Sequence, residues 1–467
     1  MSASSASGTT VVAGTGPEAP LEAGSSGSLE PGLTPDPAAP AGGISGVSPG
    51  LPDIAPGGSA AVPGASGEPE SAGGAPAGAK PATTESAKGA SCDGFSNGTG
   101  ITDSTITIGN ASDISGPVPG LFTQAQLAMG AFVKYFNDSG QTICGRSLTL
   151  ARYDSRTDAG ADQQAYAKGC DDTFAMVGSM SAFDSGGAAT AQKCGLPDIR
   201  AISTTAARAA CTTCYAAQPA GPSEFQNVVA DYVKRNADGG QKAAMLYIDA
   251  GAAGESGKSQ VRFMTKRGVK FVYVSGVDTG AFNYTPYVQA MKDAGVTSVQ
   301  FIAAEPQFVR LVQTMQQQNF KPEVLLLDPT AYSRQYTEPA GAAAIGTTVF
   351  TNFVPFEEAA SNREVSLYLN YLEQTSPGAD PGFFGLFAWS AAKLFVQQAM
   401  ALGGDLTRAS LIDSMKGVDD WTADGMHAPM PVGTKRITDC WRFIQWTGTE
   451  WKSVEGSKYQ CNGTTTG

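Results

Sequence analysis

From residue 101 onward the apolar positions follow two rhythms. Short runs of aliphatic and β-branched residues, such as 105–109 (Thr-Ile-Thr-Ile-Gly) and 147–153, alternate with longer stretches whose apolar residues recur three and four apart, such as 121–137. The short runs read as strands and the longer stretches as amphipathic helices. A first set predicts strands over 105–109, 147–153, 174–178 and 199–202, with helices over 121–137, 158–170 and 184–194 between them. After Pro222 the rhythm restarts, with a helix over 224–236, then strands over 243–248, 270–275, 298–303 and 323–327. Helices over 257–267, 284–294 and 307–318 separate those strands. Strand–helix alternation implies a parallel sheet with helices on both faces. Two such sets, each with its own core, predict two similar α/β lobes. A further strand over 347–353 and a long apolar helix over 384–402 follow. Residues 440–446 and 450–454, around Thr-Gly-Thr, read as a β-hairpin.

Residues 1–91 follow neither rhythm. They hold no aromatic residue and no cysteine, and consist mainly of Ala, Gly, Pro, Ser and Thr. Such a segment has too little apolar surface to offset chain entropy, so it is expected to be a disordered tether. As a flexible coil it would span on the order of 50 Å.

Composition narrows the class. A chain of 467 residues, 42% hydrophobic, has room for more than one core. The formal charge is -12, from 43 acidic and 31 basic residues, and no Lys/Arg cluster stands out. A nucleic-acid partner is therefore not expected, because a basic stripe would be needed on the phosphates. No run reaches the length of a membrane span. The first residues show neither the basic nor the apolar region of a signal peptide.

The eight cysteines point the other way, to an oxidising compartment. They are Cys92, Cys144, Cys170, Cys194, Cys211, Cys214, Cys440 and Cys461, beside a single histidine, His427. Only Cys211 and Cys214 have zinc-knuckle spacing and no second knuckle exists, so no metal site is expected. An even number spread through the fold reads as four disulfides. Cys440–Cys461 brackets the hairpin, Cys211–Cys214 is local, and the other four are expected to pair among themselves. Cys92 has no apolar stretch before it and does not read as a lipidated cysteine.

Several local sequences, taken in order from about Ile101 to Cys461, resemble type I periplasmic solute-binding proteins, and within them the leucine/isoleucine/valine-binding subunits of ABC transporters. Ile106-Thr-Ile-Gly109 is followed by Asp113-Ile-Ser-Gly-Pro117 and a helix containing Gly130-Ala-Phe-Val-Lys-Tyr-Phe-Asn137. Leu148-Thr-Leu-Ala-Arg-Tyr-Asp154, Val177-Gly-Ser-Met-Ser181 and Ile202-Ser-Thr-Thr-Ala206 come next. Tyr284-Thr-Pro-Tyr-Val-Gln-Ala-Met-Lys-Asp-Ala-Gly295 precedes a strand, and Phe443-Ile-Gln-Trp-Thr-Gly448 closes the series. The resemblance implies two doubly wound parallel-sheet lobes joined by a hinge of three crossovers. Residues 101–222 plus 350–430 would form the first lobe, and 223–349 plus 431–461 the second. It implies an extracytoplasmic, non-enzymatic protein without a cofactor that holds an amino acid or a related small acid or amide in the interlobe cleft for an ABC permease. A ligand-sensing receptor domain is the alternative within the same fold.

In open parallel sheets ligands bind beyond the carboxyl ends of the strands, at the topological switch point. Ser115 follows the first strand, Ser179 and Ser181 the third, and Ser203, Thr204 and Thr205 the fourth. Hydroxyls and backbone N–H groups at helix starts suit a carboxylate, although Ser and Thr there also serve as helix caps. The resemblance carries carboxylate and ammonium binding onto Ser181, Ser203 and Thr205, and the ammonium's acidic partner onto the second lobe. Asp249 and Glu305 end strands of that lobe. Glu305 precedes Pro306, which also fits a helix start. Phe183, Tyr284 and Trp389, with Phe122, are candidate aromatic walls. Phe183 stands where the amino-acid binders would carry a small polar residue, which favours a larger or less polar solute.

One motif argues for a nucleotide-binding enzyme. Ala252-Ala-Gly-Glu-Ser-Gly257-Lys258-Ser259 matches a relaxed phosphate-binding loop, and Val324-Leu-Leu-Leu-Asp328 resembles its supporting strand. The first Gly is replaced by Ala, and the alternative reading is a Gly-rich turn before an exposed basic helix. A hydrolase would have to rest on His427, expected in a loop, with no nucleophile elbow nearby.

Overall fold

A computed structural model describes residues 90–467. The tether expected over 1–91 lies outside the described residues except for its last two. Strands β1 (Thr105–Ser112), β2 (Ser147–Asp154), β3 (Ala175–Val177), β4 (Asp198–Ser203) and β5 (Cys214–Pro219) form one sheet. It is parallel throughout, in the order β2-β1-β3-β4-β5. Helices α1 (Thr123–Asp138), α2 (Ala159–Asp172), α3 (Ser185–Cys194) and the short α4 (Ala206–Ala210) connect these strands. Strands β3, β4 and β5 are buried along their whole length, as strands covered on both faces must be.

The chain then crosses to a second sheet. The short β6 (Glu224–Gln226) runs directly into α5 (Asn227–Asn236), so the helix expected over 224–236 starts three residues late. There follow β7 (Ala243–Ile248), α6 (Gly251–Lys266), β8 (Phe271–Val277), α7 (Thr285–Asp293), β9 (Ser298–Ile302), α8 (Glu305–Gln317), β10 (Val324–Leu327), α9 (Arg334–Ala340) and β11 (Thr347–Thr351). A second crossing leads to α10 (Arg363–Thr375), α11 (Phe383–Leu402) and α12 (Arg408–Met415). Helix α11 packs on α1 and on β4 and β5 of the first sheet. A third crossing returns to β12 (Cys440–Trp446), β13 (Trp451–Val454), β14 (Gln460–Cys461) and β15 (Thr464–Thr466). The second sheet runs β13-β12-β11-β10-β9-β7-β8, with β12 and β13 antiparallel at one edge. The hairpin read from 440–454 is that edge.

Two of the three crossings are tied together by one buried carboxylate. Glu224, just after the first crossing, accepts from the Ile437 N–H (2.9 Å), Arg436 Nη2 (2.9 Å) and Thr464 Oγ1 (2.7 Å). Four disulfides staple the lobes: Cys92–Cys144, Cys170–Cys194, Cys211–Cys214 and Cys440–Cys461. The last joins directly paired residues of β12 and β14, and the third closes the turn between α4 and β5. Each sheet changes strand order once, between β1 and β3 in the first and between β7 and β9 in the second. Ligand sites are expected at those two points.

Candidate functional site

The loops leaving the two switch points meet across a cavity of about 210 Å³. Its first-lobe wall is aromatic. Phe122, at the start of α1, packs edge-on against Phe384 with ring centroids 4.6 Å apart, and Phe383 and Phe183 extend this wall. The second lobe contributes small residues, Ala250, Ala252 and Ala253 from the start of α6 and Ala303 and Ala304 after β9, together with the aromatic rings of Phe350 and Trp441. No Lys, Arg or His is among the lining residues.

The lobes touch at the cavity edge. The Ala252 N–H donates to the Ala182 carbonyl (2.9 Å). Gly251 makes this approach possible: it has φ +50°, and a Cβ there would lie 2.4 Å from the same carbonyl oxygen. Nearby, the Glu255 carboxylate of α6 accepts from the Ala206 N–H at the start of α4 (3.0 Å).

Within the first lobe, Asp113 knits three strand-end loops together. Its buried carboxylate accepts from the Thr157 N–H (2.9 Å), the Ala182 N–H (2.8 Å) and Ser155 Oγ (2.6 Å). Burial nonetheless raises its pKa, and these bonds oppose the shift.

Of the residues read from the sequence, Phe122, Phe183 and Thr204 line the cavity. The other candidate ligand residues lie outside the lining. Ser115 donates to Asp154 (2.5 Å). Ser179 accepts from the Ala111 N–H (3.1 Å) and Ser181 from the Phe183 N–H (3.2 Å). Ser203 ends β4 with its carbonyl accepting from the Ala220 N–H (2.9 Å). Thr205 caps α4 and donates to Asp184. Asp249 is exposed and paired with Lys258 (2.7 Å). Glu305 is only 4% exposed, and burial is the main cause that pushes its carboxyl up to about 7. Tyr284 and Trp389 belong to the core rather than the cleft. Tyr284 packs against Phe301, and Trp389 donates from Nε1 to Glu364 (2.7 Å).

Three polar groups at the cavity escaped the sequence reading or its emphasis. Thr157 Oγ1, Thr204 Oγ1 and Gln218 Oε1 are buried at the cavity wall without a hydrogen-bond partner. Gln218 was signalled only faintly, as the polar residue in the run Tyr215-Ala-Ala-Gln218. Other buried polar atoms of the chain also lack a partner, those of Asn352 and Ser298 among them, but these three gather around one cavity, where water or a ligand can satisfy them.

The nucleotide-binding motif is not a loop. Gly251–Lys266 is continuous helix, so Gly254 and Gly257 hold helical backbone and no turn of free N–H groups exists to cradle phosphates. Lys258 points away to Asp249, and Ser259 donates to the Ser256 carbonyl (2.9 Å). His427 lies in the connection between α12 and β12, as expected, and its side chain is buried. It stacks on Phe387, bonds Ser390 Oγ (2.8 Å), and is pushed down to about 4 by burial, which leaves it neutral.

The geometry is that of two α/β lobes with a cavity between the carboxyl ends of their parallel strands. The family pattern for periplasmic binding proteins matches residues 105–450, and the chain belongs to that family. It is a solute-binding protein of an extracytoplasmic family and not an enzyme. Among solved structures, a fatty acid ABC transporter substrate-binding protein from Thermomonospora curvata aligns with TM-score 0.67 and 19% identity, covering 79% of this chain and 96% of that one. A branched-chain amino acid ABC transporter protein from Thermus thermophilus with bound valine gives 0.65 and 14%, covering 78% and 98%. A solute-binding protein from R. palustris in complex with 4-hydroxybenzoate gives 0.64 and 15%, covering 77% and 97%. At these identities the likeness establishes the fold. No curated protein sequence matches the chain. No helix among the described residues is long and apolar enough to cross a membrane.

Proposed function

We propose that this chain captures a small organic solute between its lobes and presents it to the membrane permease of an ABC transporter. What carries the reading is the cavity placed at the switch points of both sheets, walled by Phe122, Phe183 and Phe384 and closed by the contact of Ala252 with Ala182. Hinge closure over such a cleft desolvates a ligand on all sides. The solved relatives are described with valine, a fatty acid and 4-hydroxybenzoate, each an apolar body with a polar end. The four disulfides suit work outside the cytoplasm.

The test is a thermal-shift screen of the full chain with amino acids, carboxylates, aromatic acids, amides and alcohols. A ligand at one hundred times its dissociation constant should stabilise the fold by about 2.7 kcal/mol. Stabilisation that disappears in a Phe183→Asp variant of unchanged melting temperature is the expected result. If no member of the panel stabilises the correctly folded chain, the capture reading fails.

A further inference from the structure

We infer that the cavity selects an uncharged ligand, an aryl or branched-alkyl body ending in a carboxamide or hydroxyl, and excludes carboxylates and zwitterionic amino acids. This rests on the reading of the cavity as the capture site. The inference comes from where the anion-binding donors of the two switch points are directed. A carboxylate entering such a cleft would be met by backbone N–H groups at the strand-to-helix loops. In this chain six donors of these loops are already taken by its own acceptors. The Ala182 N–H is held by Asp113 (2.8 Å), and the Phe183 N–H by Ser181 (3.2 Å). Asp184 takes the Thr204 N–H (3.3 Å), and Glu255 takes the Ala206 N–H (3.0 Å). In the second lobe, the Ala303 N–H goes to Asp328 (3.3 Å) and the Ala304 N–H to Gln307 (3.1 Å).

No cationic side chain lines the cavity to replace them, and the lining carboxyl groups belong to Glu224 and Asp328. An anion would be desolvated against apolar walls and acidic neighbours with no counter-charge, which is strongly unfavourable. An ammonium finds no free carboxylate at the orphan atoms, because Glu224 and Asp328 are both occupied by other donors.

What remains unpaired is neutral. Gln218 is 2% exposed, and its Oε1 is an acceptor with no donor. Thr204 and Thr157 line the same cavity, and their buried hydroxyls have no partner. A carboxamide or alcohol supplies an N–H or O–H to Gln218 and an oxygen to a threonine hydroxyl. A carboxylate can accept from the hydroxyls, but it supplies no donor to Gln218 Oε1 and brings a charge that no lining cation offsets.

Matched probes test this in the full chain by calorimetric titration: phenylacetamide against phenylacetate, isovaleramide against isovalerate, and L-leucine. The amide of each pair should bind at least about tenfold more tightly than its carboxylate, with L-leucine weaker still. Gln218→Leu should remove most of that preference while leaving the free protein folded and no less stable, since an orphaned polar atom is exchanged for an apolar one. Thr204→Val, nearly isosteric, should weaken the amides by a smaller factor. Carboxylate or leucine binding equal to or tighter than the amide overturns the inference and leaves solute capture intact. Unchanged amide affinity in both variants also overturns it. Binding by no probe, with the screen above also negative, overturns the capture reading itself.

Discussion

The first lobe has two interiors, and they treat charge in opposite ways. Behind α3 and α4, Arg200 and Arg208 are fully buried with Asp162, Asp184, Asp198 and Tyr166. Arg208 reaches Asp198 (2.6 Å), Asp162 (3.1 Å) and the Asp184 carbonyl (2.6 Å), with its guanidinium over the Tyr166 ring. A few residues away, the cavity wall carries no cation, and its orphans are neutral. Buried charge is tolerated only where it is paired and hydrogen-bonded. The network meets most of that condition from within the chain, with only Asp162 Oδ1 and Arg200 Nη2 left without a partner. The cavity leaves its polar atoms to be satisfied from outside, which is the difference between an interior built for the fold and one built for a ligand.

The largest expected effect breaks the network. Arg208→Met removes the nearest cation from Asp162 and Asp198 in a dry site, leaving Asp162 the Gly187 N–H and Asp198 the Tyr166 hydroxyl, and should cost roughly 3–5 kcal/mol in urea unfolding. Burial already lifts Asp162 to about 6 even with Arg208 beside it. Gln218→Leu in the cavity should cost nothing of the kind. A loss below about 1 kcal/mol for Arg208→Met would mean that the two interiors do not differ as described.

A smaller effect separates the lobes by pH. Glu305 sits at the start of α8, beside the cavity, and burial, with Asp328 and Asp380 nearby, holds its carboxyl at about 7. Its pKa is raised in the folded state. Between the unfolded value and about 7, the folded chain therefore binds the extra proton, and stability falls as pH rises through that window. Below the window the contribution is constant. Glu305→Gln should flatten this slope and make the protein more stable than wild type at pH 8, by on the order of 2 kcal/mol. Asp328, held at about 6, leaves a shallower slope at lower pH. Parallel pH profiles for wild type and variant would refute the assignment.

Much of the architecture could be read from periodicity because it depends on local pattern. The strands of 243–248 and 298–302 and the helices of 285–293 and 227–236 fall within a few residues of where apolar spacing puts them. The exceptions have local causes. Helix α6 begins at Gly251, six residues before expectation, because Gly and Ala at its start carry no amphipathic signal and imitate a loop. Strand β5 is Cys-Tyr-Ala-Ala-Gln-Pro, too short and too mixed to stand out. The site was less legible, for a different reason. Whether Ser181 or Thr205 meets a ligand depends on Asp113 and Asp184, far away in sequence and buried beside them only once the sheet forms. Thr204 could be placed because it follows β4 directly, and Phe183 because it lies in the loop between β3 and α3. Gln218 and Thr157 could not, since an unsatisfied atom is a property of the packed structure.

The smallest effect sharpens the contrast at the cleft's edge. Glu255 is exposed, yet its carboxylate crosses from α6 to the Ala206 N–H of the other lobe. A solvent-exposed bond of this kind contributes about 1 kcal/mol, and only when the lobes are closed. Glu255→Ala should therefore leave the melting temperature of the free protein nearly unchanged and speed ligand release about fivefold for every probe alike. Stopped-flow dissociation measures this directly. A selective gain for carboxylates would give Glu255 a different role, with its charge guarding the Ala206 N–H against anions. A uniform change assigns it to closure, and leaves ligand choice to the neutral groups inside.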